Sequence, residues 1–158
     1  MVLGRRGRRG RKGGKAIFLF CNLKVVYLMF NTILNMEPAY HSFEDLFIWK
    51  EGLDLSIDTY TLMKNCRDFG LKDQMQRCSV SVPSNIAEGF ELHTNRAFIR
   101  HLYIAKGSGG ELRTQLFIAI RLGYIEKKKG DEMINRTRRL SASISNFIAT
   151  RKNKLRKE

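Results

Sequence analysis

The chain has 158 residues, 43% of them apolar, with a formal net charge of +14. That is enough apolar matter for one packed domain, and it excludes a wholly disordered chain. The basic balance points to a polyanion, either nucleic acid or an anionic membrane face, and says nothing of sequence preference. Three cysteines (Cys21, Cys66, Cys78) are an odd number with no CxxC spacing, so neither a zinc knuckle nor a disulfide framework can be built from them. Reduced thiols of this kind fit a cytoplasmic protein.

Residues 1–35 hold eight Lys/Arg and no acid, whereas residues 36–158 hold the other 21 and all 15 acids, a net of +6. The leader opens on the glycine-rich basic string MVLGRRGRRGRKGGK and continues into the apolar stretch AIFLFCNLKVVYLMFNTIL. A signal peptide would need an unbroken apolar run and a small-residue cleavage site, but Asn22 and Lys24 interrupt the run. A membrane span would need about 20 residues with few or no charges. Three readings stay open: a membrane anchor, a basic RNA-binding arm, or a leader produced by a start assigned upstream of Met36. The expected organisation is this extension, a helical domain over 36–150, and a basic tail over 151–158.

From Met36 onward the sequence predicts four helices. Ser42 and Asp45 form a capping box, followed by a stripe of Leu46, Trp49, Leu53, Ile57, Tyr60 and Met63 at three- and four-residue steps, with Gly70 as the stop. The second helix places Leu71, Met75, Cys78, Val82 and Ile86 on one side and ends at Gly89. Pro83 inside it is expected to kink it and to free the carbonyl of Ser79. Thr94 is the N-cap of the third, whose stripe is Phe98, Leu102, Ala105, Gly109, Leu112, Leu116 and Ile120, with Gly123 as the stop. Lys127 to Gly130 reads as a loop, with Asp131 and Glu132 in the first turn of a fourth helix carrying Met133, Thr137, Leu140, Ile144 and Phe147. The expected fold is all-α, an up-down-up-down four-helix bundle.

Two strings stand apart from ordinary bundle sequence: SVPSNIAEGF at 81–90 and GSGGELRTQL at 107–116. QMQR at 74–77 and FEDLFIWKEG at 43–52 complete the order. From about Phe43 to Thr150 the chain resembles the four-helix proteins encoded in intervening sequences of bacterial 23S rRNA genes. The family pattern S-[IV]-P-x-N-I-A-E-G falls on Ser81, Pro83, Asn85, Ile86, Ala87, Glu88 and Gly89. The pattern G-S-x-x-E-L falls on Gly107, Ser108, Glu111 and Leu112, with Gly109 standing where the family is usually apolar. The resemblance implies a left-handed bundle that assembles into a homopentameric ring. It also implies a relation to the accessory variability determinants of diversity-generating retroelements, basic rings that work with a reverse transcriptase and its RNA.

Gln74, Arg77, Ser81, Pro83, Asn85, Glu88, Gly89, Ser108, Glu111 and Arg113 are the expected motif and assembly residues. Glu88 sits where the helix dipole disfavours an acid, so a basic partner is expected, Arg77 or Arg113. Asn85 is expected to take up the Ser79 carbonyl or a facing backbone group, and Ser108, flanked by glycines, to let its helix approach another closely. Arg96, Arg100, Lys129, Arg136, Arg138, Arg139, Arg151 and Lys152 are the expected nucleic-acid contacts, through phosphates rather than bases. The expected partners are further copies of the chain and RNA or DNA, with no small-molecule substrate and no membrane.

No catalytic, cofactor or metal residues are expected. A di-metal carboxylate bundle needs Glu-x-x-His, but His41, His93 and His101 follow Pro38, Phe90 and Phe98 at that spacing. The G-S-G-G string lacks the Lys-Ser/Thr of a phosphate loop. Two other readings remain: a protein scaffold or adaptor for a nucleic-acid enzyme such as a reverse transcriptase, and a ribonuclease similar to the all-helical HEPN enzymes, whose R-x-x-x-x-H signature would fall on Arg96 and His101.

Overall fold

The structure, a computed structural model, describes residues 40–156. The expectations about residues 1–35 lie outside that range. A 3-10 turn at Phe43–Asp45 leads into four helices: α1 (Phe47–Leu62), α2 (Phe69–Glu91), α3 (Asn95–Arg121) and α4 (Lys127–Leu155). Each helix packs on the next and α4 returns to α1, while α1 and α3 stand diagonally across the bundle. With links of a few residues, this is the antiparallel four-helix bundle that the apolar periodicity predicts. The last helix carries on through the basic tail to Leu155.

The core is built from the stripes of α2, α3 and α4. Met75, Ile86, Leu102, Leu112 and Leu116 are almost wholly inaccessible, and each such side chain stabilises the fold by about 1.5–3 kcal/mol. The Thr94 hydroxyl accepts from the Ala97 amide and starts α3 as expected. Gly123 ends it in the left-handed region at φ 72°. Its amide reaches Ile120 O at 3.1 Å and the Tyr124 amide reaches Ala119 O at 2.9 Å, the two bonds of a Schellman cap.

Four boundaries differ from the sequence reading. The Ser42–Asp45 capping box is present but closes the 3-10 turn, and α1 begins at Phe47. Gly70 is no stop: α1 ends at Leu62, and Gly70 lies in the first turn of α2, capped by the Asp68 carboxylate accepting from the Leu71 amide at 3.0 Å. Gly89 does not end α2, which runs on to Glu91; its left-handed cap is instead His93, at φ 55°. Lys127 to Gly130 is the first turn of α4 rather than a loop, so Asp131 and Glu132 fall beyond that turn. The reason is packing: Gly130 is buried so tightly against α3 that a Cβ would stand 2.5 Å from the Ile120 side chain.

The largest difference is in α1. Its core-facing residues are Ile48, Gly52, Leu55, Ser56 and Thr59. Leu46 and Met63 of the predicted stripe are buried, but Leu53, Ile57 and Tyr60 face outward, Ile57 with 56% of its surface exposed. Gly52 and Ser56 share the inner side with Ile48 and Leu55 because of what α2 presents there.

Candidate assembly and nucleic-acid-binding surfaces

The string SVPSNIAEGF is a two-sided packing device. Proline at 83 cannot donate to Ser79 O, yet α2 passes through it without a break. The Ser56 hydroxyl of α1 donates to that freed carbonyl at 2.7 Å and also lies 2.9 Å from Gly52 O. Asn85, expected in this role, does not play it. One turn earlier on α1, Gly52 lets the helices close: a Cβ there would stand 3.3 Å from Val82 Cγ1 and 3.5 Å from Pro83 Cδ. Gly52 and Ser56 thus fit the proline from a second helix.

The other side of the string faces α3. The Ser81 and Ser108 hydroxyls meet at 2.9 Å. Asn85 Nδ2 donates to Ser81 O at 2.8 Å, leaving its Oδ1 to accept from His101 Nδ1 at 3.3 Å. Glu88 Oε2 lies 3.7 Å from the same imidazole nitrogen. The partner of Glu88 is therefore His101, not Arg77 or Arg113. Arg77 pairs with Asp73 at 2.8 Å on the exposed side of α2, near the exposed Gln74, and Arg113 is half-buried on α3. Gly89 is required here, since a Cβ would come within 2.6 Å of His101 Cβ. Deeper in the seam the Cys78 thiol lies 2.9 Å from Gln115 Oε1, and Gln115 Nε2 donates to Glu111. Burial, then the charge of Glu111, pushes the Cys78 thiol up to about 12.

The glycines around Ser108 do something other than expected. Among the described residues, a Cβ at Gly107, Gly109 or Gly110 would meet nothing within 4 Å, so none permits a close approach between these helices. Gly109 is buried and lines a small void between Leu55, Ala105, Leu112 and Ile144. Gly107 and Gly110 lie on the outward side of α3, with the exposed Tyr103, Thr114 and Phe117 at helical spacing.

The predicted phosphate contacts separate into two groups. Arg96, Arg100, Arg138, Arg139 and Lys152 are exposed. Arg138 donates to Asn135 Oδ1, and Lys152 Nζ donates to the Tyr103 hydroxyl at 2.9 Å. Lys129 is exposed and lies 3.9 Å from Glu126. Arg136 is no such contact. Its side chain is only 18% exposed and donates to Glu51 at 2.9 Å and to Asp58, tying α4 to α1. Burial works against its charge, but the hydrogen bonds and charges of the two carboxylates outweigh that, and its pKa is raised. Arg151 is half-buried, its guanidinium 5.3 Å from the Phe98 ring centre and 5.1 Å from that of Phe147. At 1.5 Å per residue, Lys129, Arg139 and Lys152 are spaced by about 15 and 20 Å along α4, which makes a ladder rather than one patch.

Arg96 and His101, the pair of the ribonuclease signature, are five residues apart on α3, about 140° around the helix. Arg96 points to solvent, while the His101 side chain is 15% exposed and engaged by Asn85 and Glu88. Among the described residues no group of three or more His, Cys, Asp or Glu side chains is placed to hold a metal ion. None of the described helices is long and apolar enough to cross a membrane.

The family model of the 23S rRNA-intervening sequence protein matches residues 44–146, which takes in the seam and three of the four helices whole. The chain belongs to this family. A similar solved structure is a protein of unknown function from the S23 ribosomal protein family of Bacteroides thetaiotaomicron. It is 21% identical, with a TM-score of 0.61, over 64% of this chain and 97% of that one. That likeness bears on the fold alone. No curated protein sequence matches the chain. Within the intervening-sequence family pattern, then, Pro83, Asn85, Glu88 and Gly89 have a structural account in this chain: they fit α2 to α1 on one side and to α3 on the other. Sequence reasoning missed the answering residues Gly52, Ser56 and His101. The Gly-x-x-x-Ser spacing of the first two, one turn apart on a helix, was the available sign.

Proposed function

We propose that this intervening-sequence protein is a non-catalytic, cytoplasmic, homo-oligomeric protein that binds nucleic acid, RNA in the first place, through the backbone. The observation that carries the reading is a pair of complementary outward faces on diagonal helices. α1 presents Leu53, Ile57 and Tyr60, and α3 presents Tyr103 and Phe117 around the indentations at Gly107 and Gly110. Large apolar side chains on one side and small residues on the other suit a contact between successive copies. Because α1 and α3 lie on opposite sides of the bundle, that contact is head-to-tail, and a head-to-tail contact closes into a ring when its rotation allows. Five copies is the number that the family resemblance implies. In a ring, the exposed arginines recur once per copy. Arg96, Arg100 and Arg139 have no carboxylate partner among the described residues, and repetition turns weak phosphate contacts into an avid surface.

The test is fluorescence anisotropy of the full-length protein with structured RNA, duplex DNA and heparin over a salt series, with particle mass read by light scattering. A linear fall of log affinity with log salt is expected, its slope counting the phosphates contacted. Arg96→Gln with Arg100→Gln should lower that slope by about 2 at most without altering the mass. An oligomer that stays silent toward every polyanion at low salt overturns the nucleic-acid reading. It leaves a scaffold for a protein partner such as a reverse transcriptase.

A further inference from the structure

At the end of the bundle where α2 hands over to α3, a groove of about 300 Å3 opens between Tyr40, Phe90, His93, Asn95, Phe98 and Arg151. That volume is at the lower bound of small-molecule sites, the size of one nucleotide. Three features set it apart from a chance surface dip. Its cation is fixed: Arg151 is held against the Phe98 and Phe147 rings at 5.3 and 5.1 Å and touches Asn95 Oδ1 at 3.4 Å. Its charge is uncompensated, since no carboxylate among the described residues pairs with Arg151. Its rim is strained, because His93 stands at φ 55°, a conformation that glycine adopts far more readily.

We infer that this groove binds a single phosphorylated nucleotide, its phosphoryl group on Arg151 and its base against the aromatic wall. The inference rests on the nucleic-acid reading and sharpens it. A planar guanidinium already oriented by stacking loses little freedom when it takes two phosphate oxygens. Rings such as Phe90 and Tyr40 offer a base a flat apolar surface without regard to its identity. The Asn95 amide and the His93 imidazole supply polar atoms at the rim. The nucleotide has two possible sources, a free mononucleotide or an unpaired nucleotide of a strand, and both present the same chemistry.

Calorimetric titration of the full-length protein with adenosine 5′-monophosphate, with adenosine, and with hexa-adenylate with and without a 5′-phosphate tests the inference. Adenosine 5′-monophosphate should bind at least tenfold more tightly than adenosine. Tighter binding of either hexamer than of the mononucleotide identifies a strand as the source, with the 5′-phosphate mattering only if a strand end is seated, and a preference for the mononucleotide identifies the free form. Asn95→Asp places a carboxylate beside Arg151 without removing any packing, and should weaken adenosine 5′-monophosphate at least tenfold while the thermal transition is kept. Arg151→Gln should do the same. Equal binding of adenosine and its monophosphate, or an Asn95→Asp protein that binds the monophosphate as before, overturns the inference. If heparin and structured RNA still bind in that case, the groove alone is misassigned. If the monophosphate binds and no polyanion does, the groove stands and the nucleic-acid surface falls.

Discussion

At the residue scale, the hydroxyl of Ser56 shows how one proline dictates a side chain on another helix. The Ser79 carbonyl is freed by Pro83 and is buried, so it must find a donor or be left at a cost of about 1–3 kcal/mol. Ser56→Ala should therefore lower the urea midpoint by a free energy in that range, whereas Ser84→Ala, at an exposed position on the same helix as the proline, should leave it nearly unchanged. Cys78 carries a pH consequence. Its thiol is held protonated up to about pH 12 in the folded chain against 9.0 for a free one. The folded state thus binds its proton longer, the stability it contributes is complete below pH 9, and that stability declines as the pH rises toward 12. Iodoacetamide followed by peptide mass spectrometry at pH 8 should label the half-buried Cys66 first and Cys78 only after unfolding.

At the scale of the helix pair, Gly89 of α2 and Gly109 of α3 give opposite predictions. Gly89→Ala drives a Cβ into His101 and Phe98 and should loosen the α2–α3 seam by about 1–3 kcal/mol. Gly109→Ala places a methyl beside an internal void with nothing within 4 Å. It removes the helix penalty of an interior glycine and should raise stability by about 1 kcal/mol. Thermal unfolding of the two variants beside the parent protein decides both. The α1–α4 contact depends on Arg136. Arg136→Met keeps the stem but strands Glu51, whose side chain is 23% exposed. A loss of about 2 kcal/mol is expected, between the values of exposed and buried ion pairs. Asp58→Asn should cost less, since Asp58 is about half exposed.

At the scale of the whole molecule, two diagonal helices carry apolar surface that the packing of the described residues does not use. Ile57→Glu on α1 and Phe117→Glu on α3 substitute residues that are 56% and 41% exposed. Neither should affect the folding of a single copy by more than about 0.5 kcal/mol. In a head-to-tail assembly each removes a different half of the same contact. Either substitution alone should shift light-scattering mass toward the 18.3 kDa monomer with the helical circular dichroism unchanged. A mass that is the same in both variants as in the parent protein would remove these faces from any assembly.

The sequence by itself determined what depends on neighbours three or four residues away. The stripes of α2, α3 and α4, the Thr94 cap and the Gly123 stop are written in local spacing, and so is the motif that marks the family. Tertiary structure decided the rest. Gly52 and Ser56 stand between Ile48 and Leu55 on the inner side of α1 because a proline ring and an orphaned carbonyl on α2 face them, and apolar periodicity passes over such positions. Gly130 is a glycine inside a helix rather than a loop residue, because Ile120 fills the space where a side chain would be. Arg136 leaves the basic surface because Glu51 and Asp58, about 80 residues away in the chain, stand opposite it. In each case the deciding partner lies on another helix, and only packing brings it within the few ångströms over which sterics and hydrogen bonds act.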